Sequence, residues 1–206
     1  MSIADVMADQ WRLPRAPLAE VAARALNHRN GELISQTIDA LDVHARHKVL
    51  DVGFGGGLSL RLLLHKARGG QVCGVDPSVD MVNRAGRLLG NDLASGRLAL
   101  QVGEANALPY GPEEFDRVLT CQTVYFWSDV CGGLAELHRV LAPGGSCAVA
   151  MIPKPLQERF GFPERGYNTL SHAELGDWLE HTGFNKVRRW RPRTGGAPWV
   201  VVADKP

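Results

Sequence analysis

The residues best suited to chemistry lie in VLDVGFGGG at positions 49–57, where a carboxylate, Asp51, precedes glycines at 53, 55 and 57. Glycine lets a backbone turn sharply and approach a ligand where any Cβ would collide, and the helix that follows offers N–H groups without partners. The spacing is GxGxG, with Leu58 where a dinucleotide fingerprint needs its third glycine, which disfavours hydride transfer from a nicotinamide cofactor. Asp51 at the mouth of the strand would repel a pyrophosphate and hold a cationic or amino-bearing ligand. A second carboxylate, Asp76, follows Gly74 and Val75, where it can accept hydrogen bonds from both hydroxyls of a ribose. Each aspartate alone also reads as a turn or helix cap. Together with the glycine spacing, they describe a site for a nucleoside with a positive, amino-acid-like tail.

Holding those groups in place requires a sheet. From residue 47 onwards, β-branched runs at 48–52, 71–75, 97–102, 115–121 and 146–152 alternate with helical periodicity at 58–66, 79–89 and 129–141. That pattern is α/β, a mostly parallel sheet with helices on both faces. Ser171 and Glu174 have capping-box spacing and open a further helix. Strands at 186–190 and 199–203, separated by RPRTGGAP, form an antiparallel C-terminal hairpin and bring the count to seven. Residues 1–46 read as an N-terminal helical lid, with helices at 18–27 and 32–41 over the sheet's C-terminal edge, and residues 47–206 as the binding domain.

Composition excludes several roles. With 23 basic and 22 acidic residues among 206, the net charge of +1 gives no field for nucleic acid. The longest apolar runs, such as 147–152, are far short of the roughly 20 residues that cross a bilayer, so no membrane span is expected. The N-terminus lacks a basic start and an apolar stretch, so a cytoplasmic location is the expectation. Cys73, Cys121, Cys131 and Cys147 form no CxxC pair, which reads as reduced thiols and no metal site. The basic run 186–193 reads as a solvated sheet edge.

On these motifs the chain resembles the class I S-adenosylmethionine-dependent methyltransferases, a Rossmann-like family, and within it the small-molecule branch similar to the ubiquinone and menaquinone C-methyltransferases. The resemblance covers about residues 45–152. It implies S-adenosyl-L-methionine as cofactor, with S-adenosyl-L-homocysteine as product, and methyl transfer to a small organic acceptor by in-line displacement at the sulfonium methyl. In the family the loop Asp51, Gly53, Gly55 and Gly57 receives the methionine part, and the residue matched by Asp76 holds the ribose. Those matched by Pro77, Ser78 and Met81 pack near the adenine, and those matched by Glu104 and Ala105 contact its amino group and ring edge. The segment 115–127 matches the fourth strand and its loop, with Cys121 and Gln122 on the cofactor side. Pro143, Gly144 and Gly145 match a structural turn.

The acceptor should meet the residues beyond the fourth strand, Thr123, Tyr125 and Trp127, whose aromatic rings can wall an apolar molecule or stabilise a cation. Phe126 reads as the core member of that run. Trp11, Phe160, Phe162 and Tyr167 are further candidates from the N-terminal segment and the short insertion at 153–170. Tyr125, His28 and His172 are weak candidates for a general base, and no base can be assigned. With so short a cap, the site is either open or completed by a second subunit in a homodimer. The competing reading is a non-catalytic cofactor-binding module, a sensor or partner protein, with an occluded or shallow acceptor side.

Overall fold

Along the central strands the apolar side chains serve both faces in turn, because successive residues of a strand point to opposite sides. The computed structural model describes residue 10, residues 12–191 and residues 199–206. In chain order the elements are α1 (Ala19–Ala40), β1 (Lys48–Val52), α2 (Leu58–Lys66), β2 (Gln71–Asp76), α3 (Val79–Leu88), α4 (Gly90–Ala94), β3 (Leu98–Val102) and β4 (Phe115–Cys121). They continue with α5 (Val130–Val140), β5 (Leu141–Met151), α6 (Lys154–Arg159), α7 (His172–His181), β6 (Asn185–Trp190) and β7 (Trp199–Asp204). Single 3₁₀ turns stand at Val124–Phe126 and Pro163–Arg165.

The seven strands form one sheet in the order β3-β2-β1-β4-β5-β7-β6. The first five are parallel, and β7 runs antiparallel to both β5 and β6. This is the α/β arrangement the sequence pattern implied, C-terminal hairpin included. The chain moves outwards through β2 and β3 on one side of β1 and through β4 and β5 on the other. Such a reversal opens a crevice beyond the carboxyl ends of β1 and β4.

Alternation divides the core in two. Val49, Leu119, Ala148 and Val200 pack on one face with α1, α2 and α3, while Leu50, Val118, Val149 and Val201 pack on the other with α5 and α7. The capping box closes as its spacing implied, with Ser171 Oγ accepting from Glu174 N and Glu174 accepting from Ser171 N.

Two local expectations change. The two N-terminal helices are one, α1, continuous through His28, Arg29, Asn30 and Gly31. Gly31 packs close to α2 there, and a Cβ on it would lie 3.3 Å from the Leu58 side chain. The second half of α1 is core rather than lid, with Leu33, Ile34 and Ile38 buried on the sheet. The segment Pro143, Gly144 and Gly145, expected as a turn ahead of the fifth strand, lies within β5. There the β4–β5 register shifts between Phe115 and Arg117, and Gly144 takes a φ of +76°.

Candidate active site

The glycine loop leaves β1 under constraint from both sides. Gly53 N donates to Val75 O at 2.7 Å, and its φ of +79° suits glycine. A Cβ on Gly53 would sit 2.5 Å from Thr123 Cγ2. On the other side α1 presses on Gly56, where a Cβ would fall 2.1 Å from Asn27 Oδ1 and 2.5 Å from Ala23 O. Asn27 Nδ2 and Arg84 Nη1 both donate to Gly56 O, at 3.0 and 2.7 Å. The loop is thus held between the end of β4 and the start of the N-terminal helix.

The two aspartates differ in how they are satisfied. Asp76 accepts from Gly55 N at 2.8 Å through Oδ2 and from Ser78 N at 2.9 Å through Oδ1. Burial pushes its carboxyl up to about 6 against the pull of those two N–H groups. Asp51 is 1% exposed, and its Oδ2 has no hydrogen-bond partner. Burial pushes it up to about 7, with the Ser59 side chain opposing and the nearby Asp76 adding to the rise. A buried carboxylate left without a partner is costly, and a cation brought beside it restores the ionised form.

Both aspartates face a cavity of about 630 Å³ at the switch point of the sheet. Gly53, Gly55, Pro77, Glu104, Ala105, Cys121, Gln122, Thr123 and Trp127 line it as well, so most of the residues singled out in the sequence converge there. A second cavity of about 280 Å³ adjoins it and shares Leu26, Asn30, Gln122 and Phe126 with it. Tyr125, Phe160, Phe162 and Tyr167 line this second space.

Other expectations are not met. Gly57 lines neither cavity and serves as the N-cap of α2, with φ +80°. Ser78 is turned away from the cavities, its Oγ capping α3 through Met81 N and donating to Pro14 O. Met81 is 0% exposed in the core beside Ala85, because α3 buries that face against the sheet. His28 is exposed and lines neither cavity. His172 stacks on Trp199 with ring centroids 3.8 Å apart, on the hairpin side, and also lines neither. Tyr125 is buried and its hydroxyl is committed, donating to Gln122 Oε1 at 2.9 Å and accepting from Ile152 N. Burial raises its phenol well above the usual range, which makes it a poor base. Trp11 lies outside the described residues. Among them no helix is long and apolar enough to cross a membrane, and no cluster of His, Cys, Asp or Glu could hold a metal ion.

Sequence reasoning missed Asn27 and Asn30, which line the larger cavity from α1, and Arg29 and Arg165, which line the smaller. Asn27 and Asn30 are three apart and share a helical face with Leu26 and Ile34, so the signal was two amides in an apolar stripe.

A family profile described as a methyltransferase domain matches residues 50–149. The chain is 33% identical over 167 residues to Methyltransferase GfsG of Streptomyces halstedii, covering 80% of this chain and 56% of that protein. Over that domain the chain matches the class I S-adenosylmethionine-dependent methyltransferases that its motifs resemble. It is 31% identical over 171 residues to the erythromycin 3''-O-methyltransferase of Saccharopolyspora erythraea, again covering 80% of this chain and 56% of that one. It therefore spans about half the length of the curated relatives it matches. A SAM-dependent methyltransferase from Aquifex aeolicus superposes with a TM-score of 0.72 over 100% of both chains at 22% identity, so the two share a fold. S-adenosylmethionine is the cofactor of the family, and the orphaned carboxylate of Asp51 is the kind of group its ammonium requires.

Proposed function

We propose that this chain transfers the methyl group of S-adenosylmethionine to a small organic acceptor. The observation that carries the reading is the buried, unpartnered Asp51 Oδ2 facing a cavity that shares a wall with an aromatic one. Asp51 would hold the ammonium of the methionine part, and the loop at Gly53 and Gly55 would admit its backbone. Asp76 would accept from the ribose, while Pro77, Glu104 and Ala105 would border the base. When bound, the cofactor supplies an electrophilic methyl carbon: the acceptor's lone pair bonds to it, the carbon–sulfur bond leaves its pair on sulfur, and any displaced proton goes to solvent.

The residues shared by the two cavities, Leu26, Asn30, Gln122 and Phe126, include no base at neutral pH. The chain's contribution is then to align the acceptor and to exclude water. The smaller cavity, beside the larger, speaks for an enzyme over a sensor module with a shallow acceptor side. The matched relatives, an erythromycin 3''-O-methyltransferase among them, support a small-molecule acceptor. An apolar ring also suits the quinone-type branch that the motifs resemble.

Calorimetry tests the cofactor half of the proposal. S-adenosylmethionine and S-adenosylhomocysteine should bind, and Asp76→Ala should weaken both by about 1–3 kcal/mol. Unchanged affinity would remove Asp76 from the site. Mass spectrometry across an acceptor panel tests the transfer, and tight binding without any methylated product would return the reading to a binding module.

A further inference from the structure

Resting on that methyltransferase reading, we infer that Gln122 selects the acceptor: its side-chain N–H pair, aimed by Tyr125, donates to an oxygen carried by the acceptor's ring where the two cavities meet. Gln122 follows the last residue of β4 and lines both cavities. Its φ of +62° is a left-handed conformation unusual for a long side chain, and Gln122 N, donating to Ala150 O at 2.8 Å, holds it there. The direction of the amide follows from Tyr125. That hydroxyl accepts from Ile152 N and donates to Gln122 Oε1 at 2.9 Å. Burial keeps the phenol protonated, so it has one proton to give, and the atom opposite it must be the amide's oxygen. Tyr125 is itself fixed, 2% exposed, with its backbone carbonyl accepting from Asn168 N and Nδ2. Gln122 Nε2 is then left with two protons and no partner among the described residues, and it is not one of the polar atoms sealed inside the core.

A partner for Tyr125 needs only the carbonyl oxygen, so the N–H pair is the part of Gln122 that the fold does not use. What it meets is set by the smaller cavity. That space is walled by rings that already touch one another: Phe126–Tyr167, Tyr125–Phe162 and Phe162–Tyr167 centroids are 4.9, 5.1 and 5.7 Å apart. Edge-to-face contacts of this kind fix the walls in advance, so an apolar ring enters a formed slot. Its volume of about 280 Å³ holds roughly nine waters at their liquid density, which suits one or two fused rings. A ring with an accepting oxygen at the boundary satisfies the donor pair, whereas a bare hydrocarbon edge strips it of water and leaves it unpaired. Tyr125 acts through Gln122 as a positioning residue, since without its hydroxyl the amide is free to turn.

The test is calorimetry on the full chain saturated with S-adenosylhomocysteine, titrating 1-indanone, 1-tetralone and 4-chromanone beside indane, tetralin and chroman. Ketones isolate the accepting role, since they have no proton to donate. At least one ketone should bind fivefold or more tightly than its hydrocarbon. Gln122→Glu keeps an oxygen for Tyr125 and removes the N–H pair, so it should erase that preference, and Tyr125→Phe should reduce it. A readout on the natural chain stands apart from the folding of either variant: with glutamine isotope-labelled, the Gln122 side-chain amide signals should shift when ketone binds and hold still with hydrocarbon. Ketone and hydrocarbon binding alike, a preference that survives Gln122→Glu, amide signals unmoved by bound ketone, or no ketone binding to the saturated chain would overturn the inference. A preference untouched by Tyr125→Phe would overturn the positioning role. Failure of S-adenosylhomocysteine itself to bind the natural chain would instead overturn the methyltransferase reading.

Discussion

At the residue scale, a carboxylate that is 1% exposed with one oxygen unpartnered makes stability and binding pull in opposite directions. Asp51 titrates at an ordinary 3.8 in the unfolded chain and at about 7 when folded. Its contribution to stability is fully present below about 4, where both states hold the proton. It is lost as pH rises to about 7, because the unfolded chain sheds the proton over that window and the folded chain keeps it. Asp76, raised to about 6, acts with the same sign. Denaturant melts should therefore show the free protein less stable at pH 8 than these two groups allow at pH 5, and Asp51→Asn should flatten the profile between 4 and 7. Binding has the reverse sign, since an ammonium selects the ionised carboxylate. Below pH 7 cofactor binding should release a proton, seen as a buffer-dependent heat in calorimetry, and affinity should fall as pH falls. Asp51→Asn should abolish that dependence and cost tenfold or more in affinity; a variant that binds as tightly with the same pH profile would place the ammonium elsewhere.

The elements show what a sequence can and cannot carry. Strands β1 and β2 were legible because each is a short apolar run stopped by glycine or aspartate, and those stops border the larger cavity, so Asp51, Gly53 and Asp76 came with the strands. What failed depended on contacts between distant segments. The N-terminal segment, read as two helices at 18–27 and 32–41, is one helix, with Gly31 inside α1 close to the Leu58 side chain. Met81 was placed by its position in a family pattern, whereas its spacing from Ala85, one turn apart on α3, already marked the buried face. The acceptor side hangs on two amides that carry no motif. Gln157 Nε2 bridges Ile152 O and Leu170 O at 2.7 and 2.8 Å, and Asn168 Nδ2 donates to Trp127 O at 2.7 Å. Gly56, outside the GxGxG pattern, is the tightest contact in the loop, and its backbone lies outside the left-handed region, so an alanine there is penalised by crowding alone. Gly56→Ala should push α1 off the loop, costing roughly 1–3 kcal/mol of stability in melts and weakening S-adenosylhomocysteine binding with it. Gly96→Ala, where nothing lies within 4 Å of the new Cβ, is the comparison for strain without crowding, at φ +75°. It should leave binding unchanged.

For the whole molecule, the consequence is that α1 belongs to both the core and the site. Its second half is buried against the sheet, while Leu26, Asn27 and Asn30 border the larger cavity. The segment before it and its own first turn are tied to α3 and its cap, by Ser78 Oγ to Pro14 O, by Ala16 N to Asp80 Oδ2 at 2.9 Å and by the Glu20–Arg84 pair at 2.8 Å. Arg84 and Arg24 hold the Glu20 carboxyl down at about 2, yet Glu20 is solvent-accessible, so that pair orients the segment more than it stabilises the fold. A ligand filling the cavity closes contacts to the glycine loop, to the end of β4 and to this segment at once. At a hundredfold excess over Kd, S-adenosylhomocysteine should add about 2.7 kcal/mol to global stability, a rise in melting temperature of roughly 5–10 °C for a chain of this size. Local openings should respond unevenly. Hydrogen exchange should slow most at residues 13–30 and at the loop 53–57, and least at α7 and β6, which stand on the far side of the sheet order from β1. Equal slowing everywhere would mean that the N-terminal segment is fastened by packing alone. Slowing confined to 53–57 would mean that the ligand never reaches α1.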